Sequence, residues 1–142
     1  MSIKAIFVGP FFNGGMNERA PADSLVDYAI HMASNLDAHL SICVGVPKMA
    51  APSISFLGEV RGLIAKANHD RRDHAQAFAQ DLLARVRSNG VSADVSVEQD
   101  DYLHLAQRFA FGARLADIAI MQPSDDLVSL LQGVTEEVLF NS

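Results

Sequence analysis

Ile-Lys-Ala-Ile-Phe-Val-Gly, residues 3–9, is a short apolar run rich in β-forming side chains that stops at Gly9 and Pro10. An unbroken apolar run, as opposed to an alternating one, is what a strand buried on both faces requires. Working outward, Leu25, Ala29, Met32, Ala33 and Leu36 recur at helical spacing between Pro21 and about Leu36. Pro21 suits a first turn, and Asp23 favours the positive end of that helix. His39 to Val46 is a second continuous apolar run. Residues 3–46 therefore read as strand, helix, strand, the repeating unit of a parallel sheet.

The same alternation continues. A Pro-, Ala- and Ser-bearing loop around residues 47–55 precedes a long helix from about Leu57 to Ser88. Val60, Ile64, Ala67, Ala75, Phe78, Leu82 and Val86 lie along one side of that helix, and Asn89-Gly90 supplies its carboxyl-terminal cap. Val91 to Val97 alternates apolar with polar residues, the pattern of a strand exposed on one face at a sheet edge. Asp100 or Asp101 can cap a third helix in which Tyr102, Leu105, Ala106, Phe109 and Ala113 share a face, followed by an apolar strand over Asp117 to Met121. Ser124, Asp125 and Asp126 can start a last helix with Leu127, Leu130, Leu131, Val134, Val138 and Leu139 as its stripe. The class expected is α/β, a doubly wound open parallel sheet of Rossmann-like form. With no repeat, linker or low-complexity tract, residues 1–142 read as one domain.

Composition narrows the function classes. A chain of 142 residues that is 49% hydrophobic and 20% charged can bury one core. No apolar run reaches the length of a membrane span and the amino terminus lacks signal-peptide features, so a cytoplasmic location without membrane attachment is expected. The formal charge of −6, with acids and bases interspersed, offers no basic stripe for nucleic acid. Cys43, the one cysteine, sits inside an apolar run and reads as a buried thiol in a strand.

The order of elements and three phrases resemble the universal stress protein family: KAIFVG as its first strand, LDAHLSICVGV as its second, and ARLADIAIM ahead of its last helix. The resemblance runs the whole length and implies a sheet order 3-2-1-4-5, with a ligand crevice at the carboxyl ends of strands one and four. Family members that bind ATP carry an aspartate at the end of strand one, where this chain has Phe11. They also carry a Gly-x2-Gly-x9-Gly-Ser/Thr pattern after strand four, whose backbone amides cradle phosphate. Here Gln122, Pro123 and Ser124 occupy the start of that stretch, Gly133 alone keeps its place, and Val134 stands where the hydroxyl residue belongs. Pro123 removes a backbone donor, while Asp125 and Asp126 put negative charge where phosphate would sit. The family domain also continues into a fifth strand, so the chain reads as truncated before it. It would then be the front domain of a tandem two-domain protein, or have the edge of strand four covered by a homodimer partner.

Each candidate site has a plainer reading beside it. The crevice would be lined by Gly9, Pro10, Phe11, Gly45, Val46, Gln122, Ser124 and Gly133. Asn13-Gly14-Gly15 could form a lip over it, or an ordinary strand-to-helix loop, which is favoured. Phe11 and Phe12 could stack on a flat ligand, or pack beneath that loop, which is the commoner outcome. His69 and His74 are five apart, about 140° around a helix, which argues against a zinc pair and for a solvated face with Asp70 and His74 paired at i,i+4. His31, His39 and His104 fall in no recognised catalytic pattern, and no P-loop, Gly-x-Gly-x-x-Gly, Gly-x-Ser-x-Gly or paired acid motif is present. A phosphorylatable receiver domain lacks its acidic cluster after strand one. The expectation is a non-catalytic stress-response protein acting through dimer or partner contacts, with no metal and no cofactor. The alternatives are a sensor that binds ATP or AMP weakly, and a nucleotide hydrolase on a related fold.

Overall fold

The computed structural model describes residues 3–12, 19–49 and 58–121. They form β1 (Ala5–Gly9), α1 (Arg19–Leu36), β2 (His39–Pro47), α2 (Gly58–Ser88), β3 (Ala93–Asp100), α3 (Tyr102–Arg114) and β4 (Ile118–Met121). The strands make one sheet in the order β3-β2-β1-β4, and every pairing is parallel. The expected doubly wound α/β architecture is therefore present, with β3 at one margin. The last expected helix, the expected Asn13-Gly14-Gly15 lip or loop, and most of the expected loop around residues 47–55 lie outside the described residues. Among the described residues no helix is long and apolar enough to cross a membrane.

The two-residue period of each strand divides the core in two. Ile6 and Val8 of β1 and Leu40, Ile42, Val44 and Val46 of β2 face α1 and α2, where Val26, Ala29, Phe78, Leu82 and Val86 bury against them. Phe7 of β1 and Cys43 of β2 point the other way, into a smaller cluster with Leu105, Ala106 and Phe109 of α3. Helices thus cover both faces, as near-continuous apolar strands demand.

Local rules set where the helices end. Asp37 turns the chain after α1 in the left-handed region, φ 52°, while the Ala38 amide returns to the Ala33 carbonyl at 3.0 Å. Gly90, φ 77°, does the same after α2, with the Val91 amide on Val86 at 3.4 Å, which is the cap expected of Asn89-Gly90. Asp101 caps α3 by accepting from the His104 amide at 2.9 Å.

Three expectations are corrected. Of the stripe expected on α1, Ala29 and Ala33 are buried and Leu25 and Met32 pack half-buried against the core, but Leu36 is exposed at the helix end, and Ala22, Val26 and Ile30 complete the buried face. The amino-terminal turns of α2 extend past the sheet, leaving Val60 and Leu63 exposed; its burial begins at Asn68. The polar patch of α2 pairs His69 with Asp73 at 3.2 Å, not Asp70 with His74.

Candidate functional site

Five of the crevice residues, Gly9, Pro10, Phe11, Gly45 and Val46, meet at the carboxyl ends of β1 and β2; Gln122, Ser124 and Gly133 lie outside the described residues. What brings the five together is that the β1–β2 pairing does not stop at Gly9. Phe11 bridges Gly45 in the register set by Ala5 and His39. The Gly45 amide donates to the Pro10 carbonyl at 2.8 Å, and the Phe12 amide to the Gly45 carbonyl at 2.9 Å. Continuing the alternation, Phe11 and Phe12 go to opposite faces. Phe12 stacks on Phe78 of α2 at 5.2 Å, and Phe11 packs on Phe109 at 5.3 Å and Tyr102 at 6.1 Å, both of α3.

All five residues are buried. Phe109 lies across both glycines: a Cβ at Gly45 would come within 2.8 Å of its Cζ, and one at Gly9 within 3.0 Å of its Cε2. Only hydrogen at those positions lets the ring approach the strands. The result is an aromatic plug of Phe7, Phe11, Tyr102 and Phe109 over the end of β1 and β2. Phe11 itself is 5% exposed.

The exit from β2 is held by side chains that motif reading passed over. Asn68 is buried and forms a two-way clamp, accepting from the Met49 amide at 2.9 Å and donating to its carbonyl at 3.1 Å. Arg71 donates to the Pro47 carbonyl at 3.1 Å, and Gln99 to the Asn68 carbonyl at 2.8 Å. These bonds fix β2, α2 and β3 at their common end, beside a cavity of about 490 Å³ lined by Lys48, Met49, Arg61, Ile64 and Asp100.

Two of the three histidines outside any catalytic motif, His39 and His104, have carboxylate partners. His39 links Ser92 through Nδ1 and Asp94 through Nε2, the latter at 2.7 Å, and Ser41 also donates to Asp94 at 3.2 Å. These residues are 53 and 55 positions apart and meet only because β2 and β3 pair in parallel. His104 bonds Asp101 at 2.9 Å and lies 3.4 Å from Asp100. The three groups place one ligand atom each within 4.8 Å of one another, but helix capping accounts for the arrangement. The hydrogen bond to Asp101 raises the His104 pKa above its usual 6.5, and the amide and ring of His104 lower that of Asp101 below 3.8.

Cys43 is buried, and desolvation pushes its thiol up to about 11, against a smaller lowering by a hydrogen bond to Ser96. It lines a groove of about 710 Å³ between α3 and the sheet, with Phe7, Ser41, Ser96, Glu98 and Phe111 around it. The sequence signal for the thiol's burial was its apolar run.

No family model matches the sequence, and no curated protein matches it significantly. Solved structures do resemble the fold. A protein of the universal stress protein family from Burkholderia pseudomallei is similar over 92% of this chain and 87% of its own, with TM-score 0.58 and 17% identity. Universal stress protein UspA from Lactobacillus plantarum is similar over 98% and 92%, with TM-score 0.60 and 12% identity. An Arabidopsis thaliana universal stress protein family member, solved with AMP bound, is similar over 94% and 86%, with TM-score 0.58 and 12% identity. Sheet order, strand direction and helix placement agree with these likenesses, and the chain has the universal stress protein fold.

Proposed function

We propose that this chain is a non-catalytic member of the stress-protein fold group that works through contacts with a second copy or a partner, and does not hold ATP in the manner of the nucleotide-binding universal stress proteins. The observation that carries this reading is the aromatic plug: Phe11 is buried against Phe109 and Tyr102 where an acid would have to reach a ligand. A phenyl ring there offers no acceptor for a ribose hydroxyl, and removing it from its cluster would expose apolar surface worth about 1.5–3 kcal/mol. The sequence after Met121 supports the same reading. Pro123, Asp125, Asp126 and Val134 replace the donors and hydroxyl of a phosphate loop and add negative charge.

A sensor of adenine nucleotide is the second reading, favoured by the AMP in the Arabidopsis structure of the same fold. In it the nucleotide would be held by backbone near Gly45 and Val46 and by residues near Gln122, Ser124 and Gly133. The two are separated by denaturing the purified full chain and identifying released small molecules by mass spectrometry, with sedimentation of the native protein alongside. An empty protein with concentration-dependent association supports the partner reading. Released AMP or ATP in near-stoichiometric amount replaces it with the sensor.

A further inference from the structure

Among the described residues, β3 pairs only with β2, so one side of this eight-residue strand carries no neighbour. Which backbone groups face outward follows from its bonds. The carbonyls of Ser92 and Asp100 accept from the amides of Leu40 and Lys48 at 2.9 Å. By the two-residue period, even-numbered positions of β3 therefore bond to β2, and Val95, Val97 and Gln99 turn their N–H and C=O groups away from the sheet.

The side chains along this edge are sorted between two grooves. On the α2 face, Val95 and Val97 are half-buried and border a shallow groove of about 410 Å³ with Gln76, Ala77 and Gln80. On the α3 face, Ser96 and Glu98 border the groove of about 710 Å³, and Asp94, whose side chain is 65% exposed, follows on the same side. An apolar row on one face, an acidic row on the other and free backbone bonds between them form the template for an added strand.

We infer that β3 accepts an extended segment of a partner protein as a fifth member of this sheet. That segment carries Lys or Arg on alternate residues toward Asp94 and Glu98, and small apolar residues between them toward Val95 and Val97. The occupant follows from charge. The chain is at −6 overall, Asp94 is mostly exposed although His39 and Ser41 bond its Oδ2, and Arg108 lies 3.1 Å from Oε2 of a partly exposed Glu98. A second copy of β3 would bring Asp94, Glu98 and Asp100 opposite or diagonal to their own counterparts, a repulsive arrangement. An alternating basic strand converts the same row into attraction. This inference deepens the partner-contact reading of function and rests on it.

The test titrates the full chain with a fluorescent, end-blocked peptide of about nine residues alternating Lys with Val or Thr, followed by anisotropy at low and high salt. Expected is saturable binding that weakens with salt. A peptide with Glu in place of Lys should not bind. One with N-methyl groups on the amides of one edge should bind about tenfold more weakly, as loss of one or two net hydrogen bonds implies. Val97→Pro, which removes an outward N–H at an edge position, should reproduce that loss. The N-methylated peptide asks the same question of the unaltered protein should the variant fold poorly. Equal binding of the Lys and Glu peptides, insensitivity to N-methylation, or no binding would overturn the inference. So would sedimentation showing a dimer that Val97→Pro abolishes, because the edge would then belong to self-association. A nucleotide released on denaturation breaks the functional reading on which this rests, whereas the titration reads the edge directly.

Discussion

The carboxyl end of β1 and β2 and the outer edge of β3 are built in opposite ways from one sheet. At the first, backbone pairing runs on past Gly9 to Phe12, both glycines sit under Phe109, and Gly9, Phe11 and Gly45 are buried. At the second, serine, aspartate and glutamate occupy the face that β1 gives to Phe7 and Phe11, and outward backbone groups stay unpaired among the described residues. The difference teaches where this fold can still bind something. On the proposed reading, a crevice filled by side chains of the chain itself offers little ligand surface, whereas an edge with sorted faces offers one.

The comparison is broken most severely by Phe109→Ala. That ring is fully buried and touches β1, β2 and the loop end at once. Truncation should cost about 3–5 kcal/mol in urea unfolding, and a loss below about 1 kcal/mol would mean that the plug is not packed as described. Gly45→Ala tests the same place by adding volume. A methyl within 2.8 Å of Phe109 and 3.2 Å of Phe11 should cost about 1–3 kcal/mol, read as a lower unfolding midpoint. At the β3 edge, Glu98→Gln removes one partly exposed ion pair with Arg108 and should change stability by less than about 1 kcal/mol. A larger effect there would erase the contrast between the two regions.

Cys43 sharpens the boundary between them, since it lies one strand position from the polar row and is nevertheless buried. Its thiol, raised to about 11 by desolvation, should react slowly with iodoacetamide at neutral pH in the native protein and rapidly once unfolded. Fast native alkylation would place the groove floor in contact with solvent. The smallest effect concerns pH at the start of α3. His104 has its pKa raised by Asp101, so its contribution is complete below 6.5 and is lost as pH rises through the higher folded value. Asp101 has its pKa lowered, so its contribution is present above 3.8 and disappears as pH falls through the lower folded value. His104→Gln should therefore destabilise at about pH 5 and converge toward the parent on the alkaline side, as followed by thermal melts.

Much of the fold was legible because apolar runs and caps are local signals. Ile3–Gly9 and His39–Val46 located β1 and β2 to within about two residues, and Asp101 and Gly90 are caps of the expected kinds. The bounds of β3 shifted from Val91–Val97 to Ala93–Asp100. Val91 is bound to the end of α2, and the polar Glu98-Gln99-Asp100 is tolerated in an edge strand paired to residues 45–47. The division of Phe11 and Phe12 between faces was readable in principle from the alternation Phe7, Gly9, Phe11, provided the strand is carried through Pro10. The His39–Ser92–Asp94 contact was not readable, because it depends on a register between strands more than fifty residues apart, and the Asn68 clamp was not, because it depends on how α2 packs against the end of β2. Gln122, Ser124 and Gly133 lie outside the described residues, so their share of the crevice rests on the residue types alone.

The most direct test of the central claim is calorimetric titration of the full, ligand-free chain with ATP and Mg²⁺. The buried Phe11 and the altered phosphate-loop sequence predict no saturable heat up to about 1 mM ATP, equivalent to a binding free energy weaker than about −4 kcal/mol. Saturable binding in the micromolar range would contradict the account and return the crevice to the nucleotide.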